Sequence, residues 1–201
     1  MPPAPLDKFV RSLRNLDYTR RRMEALYQSN SIVMRDLHSV YEALFLRTVT
    51  SFEVFLEEQF IATLSGRAQY DRRRVSLRMT AVSRQALMDI ILQGDRYLTW
   101  LPFSQTEDRA KIYLKDDKPF SELTDGDKSM MRTITTIRNA IAHRSRHATS
   151  EFKRTVIGNR PMLSGEKSPA GFLRSQARAA PMRNRFEVYA GELARIAAAL
   201  C

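Results

Sequence analysis

The stretch that decides the fold runs from residue 33 to residue 64 and reads VMRDLHSVYEALFLRTVTSFEVFLEEQFIATL. Its apolar side chains recur at three- and four-residue spacing, which is typical of a helix that buries one face. They are Val33, Leu37, Val40, Leu44, Phe45, Phe52, Phe55, Leu56, Phe60 and Leu64. Ser31 is a suitable N-cap and Gly66 a suitable C-terminal stop. We therefore predict one long helix whose phenylalanines belong to the core, not to a base-stacking surface.

The segment before this helix has the same periodicity. From Leu6 to about Ser29, apolar residues recur at helical spacing between arginines, whereas residues 1–5 are Pro-rich and are expected to fray. The apolar positions are Leu6, Phe9, Val10, Leu13 and Leu16. Because only a short connection joins these two predicted helices, we expect them to form a long antiparallel pair.

Further helices are predicted downstream. One runs from Val82 to Gln93 and stops at Gly94, and one begins after Thr124, with Asp127 completing a capping box. The latter ends at His143 and carries the stripe Met130, Ile134, Ile137 and Ile141. A last helix, from about Arg183 to Leu200, carries Phe186, Tyr189, Leu193, Ile196 and Leu200. The strand signal is weak throughout, so we predict an all-α helical bundle.

The segments between these helices are rich in positive charge. Residues 67–80 form a basic connector, and residues 97–103 are apolar and expected to pack irregularly. Residues 144–185 hold ten Lys and Arg against two Glu, with several prolines and glycines. We interpret residues 144–182 as a basic, loop-rich insertion before the last helix, with a hairpin around Gly158-Asn159.

The composition restricts the class of protein. The 201 residues fit one domain, residues 1–201, and 33 Lys and Arg against 22 Asp and Glu give a net charge of +11, which favours a polyanionic partner. The one cysteine, Cys201, excludes an intrachain disulfide and a zinc site built from several thiolates. The amino terminus lacks the pattern of a signal peptide, and no apolar run reaches membrane-spanning length. We expect a cytoplasmic protein that has no membrane contact, no metal and no cofactor.

The residues that carry chemistry are Arg138-Asn139-Ala140-Ile141-Ala142-His143. Arginine binds phosphate through two parallel hydrogen bonds, and histidine transfers protons near neutral pH. On an ideal helix, however, Arg138 and His143 are about 140° apart around the axis. Either the long arginine reaches round, or the helix loosens at its end, or a second copy of the helix completes the site.

This motif resembles the signature of the HEPN superfamily, in particular HEPN domains of the RiboL-PSP type. The similarity includes Ser51-Phe52-Glu53-Val54-Phe55-Leu56-Glu57-Glu58, Leu92-Gln93-Gly94-Asp95 and Arg185-Phe186-Glu187-Val188-Tyr189. It implies a homodimer through the motif helix and metal-independent RNA cleavage in toxin–antitoxin or anti-phage defence, with an antitoxin as a further partner. Arg138 and His143 would be catalytic, and Asn139 would support them. The basic segment would bind RNA through Arg144, Arg146, Lys153, Arg154 and Arg160.

Several other interpretations remain open. Arginine and histidine also suit a solvated helix C-terminus, and His147 lies at metal-ligand spacing from His143 without a third ligand in view. His38, the run Arg20-Arg21-Arg22, the run Arg72-Arg73-Arg74 and the glutamates Glu53, Glu57 and Glu58 are expected to be structural or solvated. The chain could instead be a non-catalytic module that binds nucleic acid or an acidic protein, or a nucleotide-binding domain that works beside a nucleotidyltransferase.

Overall fold

The computed structural model describes residues 4–70, 73–75, 77, 83–92, 98–177 and 182–201. They form a mostly helical bundle, as predicted. The helices are α1 (Pro5–Gln28), α2 (Met34–Leu64), α3 (Arg84–Leu92), α4 (Ser104–Tyr113), α5 (Asp125–His143), α6 (Arg146–Glu151), α7 (Pro169–Arg174) and α8 (Arg185–Ala199). A π-helical turn (Phe152–Ile157) continues α6, and 3-10 turns span Phe120–Glu122 and Ser164–Lys167. Two short antiparallel ladders pair β1 (Gln69–Tyr70) with β2 (Arg73–Arg74) and β3 (Gln176–Ala177) with β4 (Arg183–Asn184).

Both long helices end in a left-handed residue. Asn30 has φ 57° and Gly66 has φ 65°, and in each turn the residue that follows donates its N–H to a carbonyl five residues back. This is the Schellman arrangement, which satisfies the last free carbonyls of a helix. Gly66 therefore stops α2 as predicted. The prediction of Ser31 as N-cap is wrong, because Ser31 belongs to the turn and α2 begins after Val33 without a side-chain cap.

The predicted antiparallel pair of α1 and α2 is confirmed. The side chains that meet run in opposite directions along the two helices: Lys8 with Glu58 at 2.9 Å, Ser12 with Ser51 at 3.0 Å. Further along, the Tyr41 hydroxyl donates to Glu24 at 2.7 Å. In the interface, the ring of Phe9 packs against those of Phe52 and Phe55. Polar contacts along the pair and the aromatic contacts of Phe9 therefore hold the two helices together.

The aromatic side chains of α2 form the centre of the core, as predicted. Phe60 contacts the rings of Trp100, Tyr113 and Phe120, and Phe45 contacts that of Tyr189 on α8. All five predicted apolar positions of the last helix, Phe186 to Leu200, are buried. The residues that bury α2 thus come from nearly every other part of the described chain.

The start of α5 agrees with the sequence. The Thr124 side chain accepts from the backbone N–H of Asp127, whose carboxylate accepts from the Thr124 N–H in return. Asp127 also pairs with Arg195 of α8, which ties the two helices together. Ile134, Ile137 and Ile141 are buried as expected. The prediction for Met130 is wrong, since it is only partly buried and Met131 takes the core position.

The prediction of a loop-rich insertion at residues 144–182 is wrong. Helix α6, its π-helical continuation and α7 lie within this segment. Their apolar side chains join the main core: Phe152, Val156, Ile157, Ala170, Phe172 and Leu173 are all buried. The predicted hairpin at Gly158-Asn159 is absent: Gly158, with φ 54°, ends the π-helical turn, and the ladder of this region is β3 with β4. The segment is part of the domain, not an appendage.

For α3, α4 and the first residues, the predictions agree with the structure only in part. Helix α4 was not predicted, because only Thr106, Ala110 and Tyr113 of its ten residues are buried. The predicted short helix is present as α3, although its expected ends, Val82 and Gly94, lie outside the described residues, as do Asp95, Arg72 and residues 1–3. Pro5, expected to fray, opens α1 at a position where proline is favoured.

A cluster of ionised side chains joins α1, α7 and α8, and the Tyr41 hydroxyl of α2 is hydrogen-bonded to it. Arg20, expected at a solvated face, is buried and bonds to Asp17 and to Glu187 of α8. Both oxygens of Glu24 accept from Arg174, at 3.0 and 3.1 Å. Burial alone would raise the pKa of Glu24, but the hydrogen bonds from Arg174 and Tyr41 outweigh it and lower the pKa below its usual value. Ionised Glu24 therefore stabilises the fold.

The burial of the segment after α5 predicts a large effect of Phe152→Ala. Removing this side chain leaves a cavity between α6 and α7 and should lower the free energy of unfolding by about 3–5 kcal/mol, measured by urea denaturation. Leu163→Ala, in the same segment but 75% exposed, is the control and should change it by less than about 0.5 kcal/mol. Equal effects of the two substitutions would contradict the observed packing.

The lowered pKa of Glu24 predicts a pH-dependent contribution to stability. It is fully present above the ordinary pKa of 4.5 and is lost as the pH falls through the lowered value. Glu24→Gln should therefore lower the free energy of unfolding by about 1–3 kcal/mol at pH 7, and by progressively less in urea titrations towards pH 3. Asp108→Asn, which breaks an exposed pair with Lys111, should have little effect at any pH. A Glu24→Gln effect that is constant with pH would rule out this role.

Candidate active site

The candidate site lies where α5 meets α6. Helix α5 ends at His143, and Arg144 follows in the left-handed conformation with φ 46°. Ser145 then caps α6, its hydroxyl accepting from the Ala148 N–H at 3.1 Å. Ala148 is buried, so the first turn of α6 lies against the core and α6 packs on α5. A left-handed residue and an N-cap thus join the two helices without an intervening loop.

An open cleft of about 180 Å³ occupies this junction. Its lining consists of Thr136, Asn139, His143, Ser145, His147, Ala148 and Glu151. Asn139 and His143 are one turn apart on α5, and His147 and Glu151 are one turn apart on α6. Two of the three predicted catalytic residues, Asn139 and His143, therefore share one cleft, and a second imidazole lies on its other wall.

Arg138, the third predicted catalytic residue, lies outside this lining. It is half-buried, donates to the Asn139 side-chain oxygen at 3.1 Å, and lies close to Glu53 of α2. Burial raises the pKa of Glu53, and the positive charge of Arg138 opposes that rise. Within one chain, Arg138 therefore does not line the cleft that His143 lines, and its hydrogen bond to Asn139 links it to that cleft.

The other glutamates of α2 have structural partners. Glu57 accepts from the Trp100 indole N–H at 3.2 Å, and Glu58 pairs with Lys8. Neither lines the cleft. Glu53, Glu57 and Glu58 are thus all partly buried, and Glu57 and Glu58 have partners in the protein, although exposed charges were expected at these positions.

The residues predicted to bind RNA are all exposed, but several have partners in the protein. Arg144 pairs with Glu42 at 2.9 Å, Arg154 pairs with Glu151 at 2.8 Å, and Arg160 donates to the Val156 carbonyl. Arg146 and Lys153 are also exposed, on α6 and on its π-helical continuation. Three of these residues, Arg146, Lys153 and Arg154, therefore lie on α6 and its continuation, and α6 forms one wall of the cleft.

In the sequence, His147 is notable only for its metal-ligand spacing from His143. Within the described ranges, no three His, Cys, Asp or Glu side chains are grouped as ligands for a metal ion. His38, the remaining histidine, is half-buried on α2, where burial and the charge of Arg174 lower its pKa and Glu42 opposes them. Only the packing of α6 against α5 reveals that His147 shares the cleft with His143.

No described helix is both long enough and apolar enough to cross a bilayer. The chain matches no protein-family model, and no curated protein or solved structure is significantly similar to it.

The left-handed conformation of Arg144 predicts that Arg144→Gly is more stable than Arg144→Ala. Both substitutions remove the ion pair with Glu42, but only alanine opposes a positive φ, at a cost of about 1 kcal/mol. Urea denaturation of the two variants under the same conditions gives the difference. Equal stability would mean that the junction can adopt another backbone conformation.

Proposed function

We propose that the protein is a metal-independent endoribonuclease of the HEPN type that acts in toxin–antitoxin or anti-phage defence. The observation that carries the proposal is the open cleft at the end of α5, where His143 and Asn139 lie together and the exposed side chains of Arg146 and Lys153 lie on the adjoining α6 and its continuation. Positive side chains near such a cleft suit a substrate with a phosphate backbone.

The reaction begins with attack of a ribose 2′-hydroxyl on the adjacent phosphorus. The bond from phosphorus to the 5′-oxygen breaks, which leaves a 2′,3′-cyclic phosphate and a 5′-hydroxyl. His143 transfers a proton, Arg138 stabilises the charge that develops on the phosphoryl oxygens, and Asn139 orients the phosphate. DNA lacks the attacking hydroxyl and should not be cleaved.

Arg138 takes part most simply in a homodimer. In one chain it lies on the flank of α5 near Glu53, outside the lining of the cleft. A two-fold dimer through α5 would place the arginine of one protomer at the cleft of its partner, because a two-fold axis brings the same helix of both copies together. The awkward angle between Arg138 and His143 supports this arrangement.

The test is cleavage of total RNA in EDTA by wild type and His143→Ala, prepared in parallel. Wild type should cleave and leave 2′,3′-cyclic phosphate ends, whereas His143→Ala should lose about 10²–10⁴-fold in rate. His38→Ala, which changes a histidine outside the cleft, should retain wild-type activity. Equal cleavage by wild type and His143→Ala would point to another site or to a contaminant.

A second candidate function is a non-catalytic module that binds nucleic acid or an acidic antitoxin. The exposed positive side chains of α6 and of its continuation favour it. In that case His143→Ala leaves function intact and charge reversal at Arg146 and Lys153 abolishes it. Binding of RNA through these side chains would weaken steeply with salt, because phosphate contacts release counterions.

A further inference from the structure

We propose that His147 is a second catalytic residue, so that two imidazoles of one chain divide the proton transfers of RNA cleavage. This inference rests on the proposed ribonuclease function and adds a residue to it. His143 and His147 belong to different helices and line the same cleft. His147 lies outside the Arg138–His143 motif, and its place follows from the packing of α6.

The reaction needs two proton carriers. A base must take the proton of the 2′-hydroxyl, and an acid must give one to the departing 5′-oxygen. Arginine cannot fill either role, because its guanidinium keeps its proton in proteins. The motif therefore supplies one proton carrier in each chain, His143. His147 supplies the second within the same cleft.

The backbone of His147 is held firmly. The preceding turn is fixed by the Ser145 cap, and the next residue, Ala148, is buried. One turn later, the ring of Phe152 is buried and meets that of Phe172 edge-on at 5.8 Å. The exposed imidazole thus projects from a first helical turn that is anchored on both sides, which suits a group that must hold its position during catalysis.

The charged groups around the cleft are few and are mostly paired. On α6, Glu151 lines the cleft and pairs with Arg154, and Arg146 is exposed beside His147. At the junction, Arg144 pairs with Glu42 of α2. On α5, Arg138 donates to Asn139. No carboxylate besides Glu151 lines the cleft, so in this part of the described structure the histidines are the groups suited to proton transfer near neutral pH.

Bonds and protons are conserved in the proposed step. The O2′–P bond forms as the P–O5′ bond breaks, one imidazole accepts the O2′ proton, and the other, initially protonated, donates a proton to O5′. After the step, the two imidazoles have exchanged their protonation states. Exchange with water restores them, and no metal, oxidant or other reactant takes part.

The first experiment compares His147→Gln and His147→Ala with wild type and His38→Ala on the same RNA in EDTA. Glutamine keeps much of the size and polarity of the side chain but cannot carry a proton at neutral pH. Both His147 variants should lose about 10²–10⁴-fold in kcat with little change in KM, and His38→Ala should match wild type. Circular dichroism and urea denaturation establish that the variants are folded.

The second experiment separates a proton carrier from a merely structural residue. An oligoribonucleotide with a bridging 5′-sulfur at the mapped cleavage position has a thiolate leaving group, which departs without protonation because a thiol ionises far more readily than an alcohol. The variant that lacks the general acid should regain most of the wild-type rate on this substrate, and the variant that lacks the base should not. Rescue of one, and only one, of His143→Ala and His147→Gln supports the proposal and assigns the roles.

The outcomes distinguish this inference from the function on which it rests. If wild type cleaves RNA, His143→Ala is inactive and the His147 variants match wild type, the ribonuclease stands and the role of His147 is wrong. If neither histidine variant is rescued by the 5′-sulfur substrate, the division of proton transfers is wrong. If wild type does not cleave RNA at all, both proposals fall together.

Discussion

Burial of α2 on almost all sides is the constraint on which the rest of the structure depends. A helix with large apolar side chains around much of its circumference cannot face water, so it must be covered from several directions. Helix α1 covers it through Phe9, α8 through Tyr189, and the segment around α4 through Trp100 and Tyr113. Helices α5 and α7 complete the cover. The candidate site is carried by helices whose inner faces are fixed in this way.

The sequence predicts those parts of the fold in which burial follows a regular helical period. Helices α1, α2, α5 and α8 have that period, and the cap at Thr124 is visible because it depends on two neighbouring residues. Helix α4 buries small or polar residues such as Thr106 and Ala110, so its pattern is faint. In the segment after α5, Phe152, Val156 and Ile157 lie in a π-helical turn, and the surrounding positive charge and glycines suggest a loop. The structures of α4 and of the segment after α5 therefore depend on contacts with residues that are distant in sequence.

The same distinction applies to the candidate site. The divergence of Arg138 from His143 follows from helix geometry alone and is predictable from the sequence. The juxtaposition of His143 and His147 cannot be predicted from the sequence. The helical period ends at Arg144, and beyond a left-handed residue the spacing along the chain no longer tells which side chains lie together. The buried pairing of Arg20 with Glu187 is similarly hidden, since it joins residues that are far apart in sequence. Local patterns predict which elements form, and tertiary packing decides which side chains meet.

The closure of the bundle by α8 has a consequence for the timing of folding in the cell. Gln59 donates to the Leu200 carbonyl at 2.9 Å in the interior, and buried Arg20 bonds to Glu187. A ribosome makes Arg20 well before Glu187 and Gln59 well before Leu200, so these two bonds are missing until α8 has been made, and an unpaired buried polar group is costly. The native bundle therefore forms only after α8 has left the ribosome.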